Sequence, residues 1–225
     1  MSLGVNWSKL FQHSQLEVLS LAEAVDPSQL ELIGRPPRFD KFHPGRQQEF
    51  LYGRLCVARA SLLLAGSERW DILMGENRAP IWPEDIVGAI SHGANLAAAA
   101  LAYSDDLLGL GIDIEARGRL KDGISRMITN PSDLQNCSGI TQEDLLTLIF
   151  SAKESLYKAL YPQVRSFFGF ETASLVELDL KQQRFTLRLI SQIGEGFGPG
   201  ARELFDGKFS IETGKVFTAI EVLHK

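Results

Sequence analysis

Two segments near the end of the chain alternate apolar and polar residues around turn-like stretches. ASLVELDLKQQRFTLRLI (173–190) turns at KQQ, and GKFSIETGKVFTAIEVL (207–223) turns at ETGK. An apolar residue at every second position is typical of a half-buried strand, and two such runs around a turn are typical of a hairpin. The last quarter of the chain is therefore predicted to be β-rich.

Two longer segments have a helical period instead. In the first, RQQEFLYGRLCVARASLLLAG (46–66), apolar residues recur every three or four positions and Gly66 is suited to end the helix. In the second, Thr141 precedes two acidic residues that favour the first turn of a helix, and the pattern continues to about Pro162. Both segments are predicted to be long helices.

Shorter patterns complete the predicted order of elements. The predicted strands are 87–91, 95–103 and 108–115. Helices are predicted at 15–24 and 122–129, and loops at 33–45 and 130–140. The alanine-rich run at 95–103 favours helix by propensity, but the turn-like HGAN and SDD around it favour a strand. The order predicts an α+β fold of two halves, 1–105 and 106–225, with a ligand cleft between them.

Charge and composition exclude several functions. The 225 residues carry a formal net charge of −5, which argues against a broad nucleic-acid surface but permits a local basic pocket. No apolar run is long enough to span a bilayer, and the first residues do not resemble a secretory signal. Cys56 and Cys137 form no zinc-binding pattern, and Cys56 is predicted to lie in the core. We therefore expect a cytoplasmic protein.

The segment GIDIE (111–115) places two carboxylates at alternate positions of a predicted strand. Asp113 and Glu115 then share a face, where they repel each other unless a cation lies between them. Hard oxygen ligands suit Mg²⁺, which binds one or two carboxylates together with substrate phosphate. The alternative is a half-buried strand whose solvent face happens to be acidic.

The segment IFSAKESLYKALYP (149–162) combines an apolar stripe with charged residues. Glu154 and Lys158 are four residues apart and lie on nearly the same face of the helix. They form either a surface ion pair worth about 0.3–0.5 kcal/mol or part of a site. If Glu154 faces the GIDIE strand, three carboxylates converge, which requires a metal ion and leaves positions open for phosphate.

Three basic residues in the first half are candidates for binding phosphate. Arg46 and Arg54 lie two turns apart on the first long helix, where they either bind phosphate oxygens or cover apolar surface. In ISHG (90–93), His92 ends a predicted strand and is followed by a glycine, which suggests contact with a ligand. RAPIWP (78–83) comes before it and contains a tryptophan suited to packing.

Taken in order, these segments resemble the 4′-phosphopantetheinyl transferase superfamily. The motifs are R-x-x-E-F-x-x-G-R-x-x-x-A-R-A, R-A-P-x-W-P, S-H, G-I-D-I-E and F-S-A-K-E-S-x-Y-K-A, between Arg46 and Ala159. The arginine helix and the P-x-W-P segment resemble the subgroup that serves siderophore, non-ribosomal peptide and polyketide synthases. The resemblance implies a monomer of two similar halves in a pseudo-two-fold arrangement, which transfers the phosphopantetheine arm of coenzyme A to a serine of an apo carrier protein.

The resemblance also implies roles for residues of the second half. Asp113, Glu115 and Glu154 would hold Mg²⁺ against the pyrophosphate, and Lys158 would lie beside it. Lys153 would contact a phosphate or be solvated. The serine proton would pass to Glu154 or to a metal-bound water that Glu154 polarises, with Glu115 as the competing base. Adenosine 3′,5′-bisphosphate would be the second product.

In the first half, the resemblance implies that coenzyme A is bound by Arg46, Arg54 and the Ser91–His92 pair, with Arg78 near the nucleotide. Gly93 stands where relatives often carry Cys or Thr, so one coenzyme contact is missing or is made by the backbone. Two other functions are compatible with the same residues. One is a Mg²⁺-dependent nucleotide phosphohydrolase, and the other is a non-catalytic module that binds coenzyme A.

Overall fold

The structure, a computed structural model, describes residues 7–118, 120, 125–134 and 137–224. The chain divides into two compact units. One comprises the residues up to Leu110 together with those from Leu223 onwards, and the other comprises Gly111–Val222. Each unit contains one long helix and one sheet, which confirms the predicted α+β class. No helix in the described ranges is long and apolar enough to cross a membrane.

The first unit packs a 22-residue helix on a three-stranded sheet. The strands are β1 (Gln15–Ser20), β2 (Ile86–Gly93) and β3 (Leu96–Tyr103), in the antiparallel order β1–β3–β2. The helix α2 (Pro44–Ala65) follows the short helix α1 (Pro27–Glu31) and packs mainly on the central strand β3. The alanines of β3 are fully buried, because small side chains let the helix lie close to the sheet. The prediction of a strand here is confirmed.

The ends of α2 follow from local chemistry. His43 precedes the helix, and its Nδ1 accepts a hydrogen bond from Gly45 N. Pro44 occupies the first helical position, where a backbone N–H would have no partner within the helix, so its absence costs nothing. Gly66 ends the helix with φ of 70°, a left-handed conformation that glycine adopts without cost, and its N–H donates to Leu62 O. Both the long helix and its end at Gly66 are confirmed. Cys56 is buried in this core, as predicted.

The predicted helix at 15–24 is wrong, because residues 15–20 form strand β1. Leu16, Val18 and their neighbours pair with the alanines of β3, and Leu19 is buried in the core of the unit. Leucine and glutamate favour helix as isolated residues, but pairing with an exposed strand edge outweighs that preference. Six residues are also too few to make an isolated helix stable in water.

The second unit packs a 23-residue helix against a five-stranded sheet. The helix α4 (Gln142–Val164) contacts mainly β8, in a sheet of strand order β4–β8–β7–β6–β5. The strands are β4 (Gly109–Ala116), β5 (Ala173–Asp179), β6 (Arg184–Leu189), β7 (Leu204–Glu212) and β8 (Lys215–Val222). The two hairpins predicted from alternation are β5–β6 and β7–β8, both antiparallel.

Short helical segments connect the larger elements. The helix predicted at 122–129 is observed as α3 (Ser125–Ile128), while residues 122–124 lie outside the described residues. Single turns of 3₁₀-helix occur at Trp7–Leu10, Phe39–Lys41, Glu76–Arg78 and Phe170–Thr172. The predicted loop at 33–45 contains the second of these turns and the start of α2.

An ion pair and a capping hydroxyl fix the start of α4. Thr141 Oγ1 accepts a hydrogen bond from Asp144 N and donates to Asp144 Oδ2, at 3.2 and 2.9 Å. The guanidinium of Arg117, which follows β4, donates two hydrogen bonds of 2.6 Å to the Asp144 carboxylate. These contacts, with the Arg117 hydrogen bonds first among them, hold the pKa of Asp144 below its ordinary value.

This lowered pKa predicts a pH-dependent loss of stability in Asp144→Asn. A carboxylate whose pKa is lower in the folded state stabilises the fold above its unfolded pKa, near 3.9, and that contribution disappears as pH falls through the folded pKa. We expect the variant to have a lower free energy of unfolding than wild type at pH 7, and the difference to shrink below about pH 4. Urea unfolding across this range checks it, with exposed Asp105→Asn as control. A difference independent of pH would contradict the role of the ion pair.

Candidate functional site

The acidic residues of β4 face the helix α4. Gly111, Asp113 and Glu115 occupy alternate positions of the strand and therefore share one face. A Cβ placed on Gly111 would lie 1.8 Å from Ser155 O of α4, so this face of β4 lies directly against the helix backbone. Asp113 and Glu115 are only 4% and 7% exposed. The alternative of an acidic strand face in open solvent is therefore wrong.

Lys158 of α4 binds the middle of this acidic strand. Its Nζ donates to Asp113 Oδ1 at 2.8 Å and to Ile112 O at 3.0 Å. Lys158 is therefore held by a residue 45 positions away in the sequence, and this partly exposed lysine pairs with a buried carboxylate. The alternative of a helix that merely presents charges to water does not apply to Lys158.

Glu154 lies one turn before Lys158 and within electrostatic reach of the same aspartate. Burial raises the pKa of Glu154, Lys158 lowers it in part, and the negative charge of Asp113 raises it further. The helix and the acidic strand therefore meet at Asp113, Glu154 and Lys158. Across the described ranges, no group of three or more His, Cys, Asp or Glu side chains could hold a metal ion. The three-carboxylate ligand set remains a prediction.

In the first unit, Arg46 and His92 are brought together from positions 46 residues apart. The Arg46 guanidinium donates to the His92 ring, and it also donates to Glu49 Oε2 at 3.0 Å. Glu49 lies 3.5 Å from His92 Nδ1. The three side chains are 31–42% exposed, which leaves the cluster accessible to a ligand. Glu49 was not among the site residues expected from the sequence, although its i,i+3 spacing from Arg46 is a usable signal.

Arg54 does not join Arg46, contrary to the expected phosphate-binding pair. Its side chain is buried, and its Nε and Nη2 donate to the carbonyl oxygens of Ile72 and Leu73 at 2.8 and 3.4 Å. Its guanidinium carbon lies 4.9 Å from the centre of the Phe50 ring. Burial lowers the pKa of Arg54 to about 10, so the residue stays charged at neutral pH. It anchors the segment after α2 to the helix.

Lys153 is also buried, contrary to the expectation that it contacts a phosphate or is solvated. Its Nζ donates to Asp133 Oδ2, Ile128 O and Phe170 O at 2.7, 2.9 and 3.1 Å. Burial lowers the pKa of this lysine, and Asp133 opposes that shift. Lys153 therefore forms internal hydrogen bonds of the second unit.

The two remaining predicted residues differ in exposure. Ser91 is buried on β2, and the alternation of the strand places it on the opposite face from His92. Arg78 is exposed at the end of a 3₁₀ turn, with φ of 65°. Of the residues expected to bind coenzyme A in the first unit, the structure therefore groups Arg46 with His92 and places Arg54 and Ser91 in the interior.

Family models match both units. Residues 36–102 match the 4′-phosphopantetheinyl transferase N-terminal domain, and residues 109–199 match the 4′-phosphopantetheinyl transferase superfamily. The first match contains Arg46, Glu49 and His92. The second contains the acidic strand and α4.

Curated relatives extend the similarity over most of the chain. The 4′-phosphopantetheinyl transferase Svp of Streptomyces mobaraensis is 37% identical over 187 residues, which cover 80% of this chain and 73% of Svp. The 4′-phosphopantetheinyl transferase PptT of Mycobacterium tuberculosis is 28% identical over 227 residues, which cover 98% of this chain and 99% of PptT. Enterobactin synthase component D of Escherichia coli is 31% identical over 68% of this chain and 73% of its own.

Proposed function

Because this chain belongs to the 4′-phosphopantetheinyl transferase superfamily, we propose that it transfers the phosphopantetheine arm of coenzyme A to a serine of an apo carrier protein in a Mg²⁺-dependent reaction. The second product is adenosine 3′,5′-bisphosphate. The observation that carries the proposal is the meeting of Asp113, Glu154 and Lys158, which places carboxylates and an ammonium group together. The resemblance of the arginine helix and the P-x-W-P segment to the subgroup that serves siderophore, non-ribosomal peptide and polyketide synthases, together with the similarity to enterobactin synthase component D, supports a carrier domain of such a synthase as the acceptor.

The donor atoms have the chemistry that Mg²⁺ prefers, although the three carboxylates are not grouped as a ready metal site among the described residues. Asp113, Glu115 and Glu154 offer only carboxylate oxygens, the ligand type that this ion prefers. Asp113 and Glu115 are buried, and the raised pKa of Glu154 reflects burial and the nearby charge of Asp113. Lys158 offsets part of this negative charge. A bound Mg²⁺ would offset more of it and would stabilise charge on the pyrophosphate.

The chain's own residues would act on the two ends of the reaction. Lys158, oriented by Asp113 and Ile112 O, stabilises negative charge on the pyrophosphate oxygens as the bond to the nucleotide breaks. Glu154 accepts the proton of the serine hydroxyl, whose oxygen forms the new bond to phosphorus. Glu115 is the competing base.

In the first unit, we assign Arg46 and His92 to the phosphates of coenzyme A. An arginine offers several donors in a planar fork that matches phosphate oxygens, and the neighbouring imidazole adds a further donor when it is protonated. Glu49 Oε2 accepts a hydrogen bond that orients the guanidinium, and it lies 3.5 Å from His92 Nδ1. Arg54 supports this region from inside through its bonds to the 72–73 backbone.

His92→Ala is expected to weaken coenzyme A binding more than it slows turnover of the bound complex. Loss of one hydrogen bond to a charged group predicts about a tenfold rise in the Kd for coenzyme A. Calorimetric titration measures the affinity, and single-turnover kinetics at saturating coenzyme A measure the rate. Exposed His13→Ala serves as the matched control. Unchanged affinity in His92→Ala would remove this residue from the binding site.

The function is tested by mixing the protein with coenzyme A, Mg²⁺ and a panel of apo carrier proteins, then weighing the carriers by mass spectrometry. We expect one carrier to gain the mass of a single phosphopantetheine group, and a carrier whose serine is replaced by alanine to gain nothing. Nucleotide breakdown without a carrier would instead support the phosphohydrolase. Saturable coenzyme A binding without turnover would support a binding module, and both results would overturn the transferase.

A further inference from the structure

The buried cation next to Glu154 joins three segments that are distant in sequence. Lys153 Nζ contacts the end of α3 through Ile128 O, the following turn through Asp133, and the 3₁₀ turn through Phe170 O. An ammonium group has three donors, and each has an acceptor within 3.1 Å here. The middle of α4 is therefore tied to its surroundings at the residue directly before Glu154.

Asp133 extends this connection to the sheet. Its Oδ2 also accepts from Asn130 N, and its Oδ1 accepts from Leu175 N at the start of β5, both at 2.7 Å. The Asp133 side chain is fully enclosed, and that of Lys153 is 2% exposed. A buried ion pair of this kind contributes little net stability, because desolvation offsets the attraction between the charges. Its main contribution is to fix the position of α4 relative to α3 and β5.

A second set of hydrogen bonds holds α4 from another side. Ser151 and Ser155 contact Thr218 Oγ1 of β8 at 2.9 and 2.7 Å. With 3.6 residues per turn, Lys153 and Ser155 point about 200° apart, on nearly opposite sides of the helix. Bonds on opposite sides of one turn resist rotation of the helix about its axis. Glu154 lies between them in sequence.

We infer that Asp133 is a positioning residue for the transfer reaction. Through Lys153 it sets the rotation of α4, and that rotation presents Glu154 and Lys158 to Asp113. This inference rests on the proposed function, since the roles of Glu154 and Lys158 are assigned there. Asp133 touches neither the substrate nor the reacting atoms, so its influence passes through the helix.

Asp133→Asn tests the inference. Asparagine keeps the shape and the acceptor for Leu175 N, but it removes the charge and replaces Oδ2, the acceptor for Lys153 Nζ and Asn130 N, with an NH₂ group. Residues that orient metal ligands from behind affect metal affinity or activity by about 10–100-fold. We therefore expect Mn²⁺ to bind at least about tenfold more weakly in calorimetric titrations with coenzyme A present, and kcat to fall similarly. Hydrogen exchange of the amides of 151–158 is expected to accelerate.

The matched control is Asp144→Asn, which makes the same chemical change on the same helix. Asp144 lies ten residues before Glu154, about 15 Å along the helix, and its ion pair with Arg117 joins the first turn of the helix to the residue after β4. We expect this variant to lose stability while it keeps the wild-type Mn²⁺ affinity and kcat. Equal changes in both variants, or loss of stability alone in Asp133→Asn, would overturn the positioning role.

A second variant covers the case in which Asp133→Asn does not fold. Asp133→Asn combined with Lys153→Met removes the uncompensated buried charge, a change that commonly restores stability. We expect this double variant to fold and still to bind Mn²⁺ weakly, whereas wild-type affinity would overturn the inference. Failure of the wild-type protein to modify any carrier would count against the proposed function instead, because the Mn²⁺ titrations do not depend on turnover.

Discussion

Glu154→Gln is expected to lower the rate of phosphopantetheine transfer by about 10²–10⁴-fold, the range typical for loss of an acid–base group. The amide keeps the size of the side chain but neither accepts the serine proton nor offers a carboxylate to Mg²⁺. The variant is expected to stay folded, because burial and Asp113 already disfavour the charge of Glu154. Carrier modification followed by mass spectrometry gives the rate, and thermal unfolding gives the stability.

The matched control is Glu143→Gln, at an exposed position in the first turn of the same helix. It makes the same chemical change away from the acidic strand, and transfer is expected to continue at the wild-type rate. If Glu154→Gln instead unfolds, or if its folded fraction transfers at the wild-type rate, Glu154 has a structural role and the assigned chemistry is wrong.

Gly111→Ala is expected to be strongly destabilising and to abolish transfer. The added methyl group would lie 1.8 Å from Ser155 O, 2.8 Å from Ser155 C and 2.9 Å from Ala159 N. These are backbone atoms of α4, so no side-chain rotation relieves the clash and the helix must move away from β4. Overpacking of a core typically costs about 1–3 kcal/mol, and a backbone obstacle places this variant at the upper end. Urea unfolding measures the cost.

Loss of transfer in Gly111→Ala is expected even in the folded fraction, because a displaced α4 moves Lys158 away from Asp113. Gly45→Ala is the control for the general effect of replacing glycine, since the new methyl group would approach His43 Nδ1 no closer than 3.5 Å. Alanine is also the better helix former, so Gly45→Ala is expected to be neutral or slightly stabilising. An unchanged unfolding midpoint in Gly111→Ala would show that β4 and α4 are not in close contact.

The sequence predicted those elements whose hydrophobic period is strong. The helices at 44–65 and 142–164 and the hairpins of the second unit have ten or more residues of consistent pattern, which local preference and burial both favour. Strand β1 was missed because its six residues lie on a sheet edge, and only pairing with β3 makes them extended. The alanine-rich strand β3 was predictable only from the turns around it.

The sequence predicted which charged residues of the acidic strand and α4 meet, but it did not predict which charged residues are buried. Asp113 and Lys158 were expected to meet at one site, and they do, because strand alternation and i,i+4 spacing fix which faces they occupy. Arg54 and Lys153 look like solvated or phosphate-binding residues in sequence, yet both are buried among backbone carbonyls. Asp133 carries no local signal, since its partner lies 20 residues away.

The most direct measurement is anomalous diffraction from crystals of the protein grown with coenzyme A and Mn²⁺ in place of Mg²⁺. We expect one strong Mn²⁺ peak, from an ion bound by carboxylate oxygens of Asp113, Glu115 and Glu154 and by an oxygen of the coenzyme pyrophosphate. Coenzyme density with no Mn²⁺ peak beside these three carboxylates, or a peak held by other residues, would contradict it.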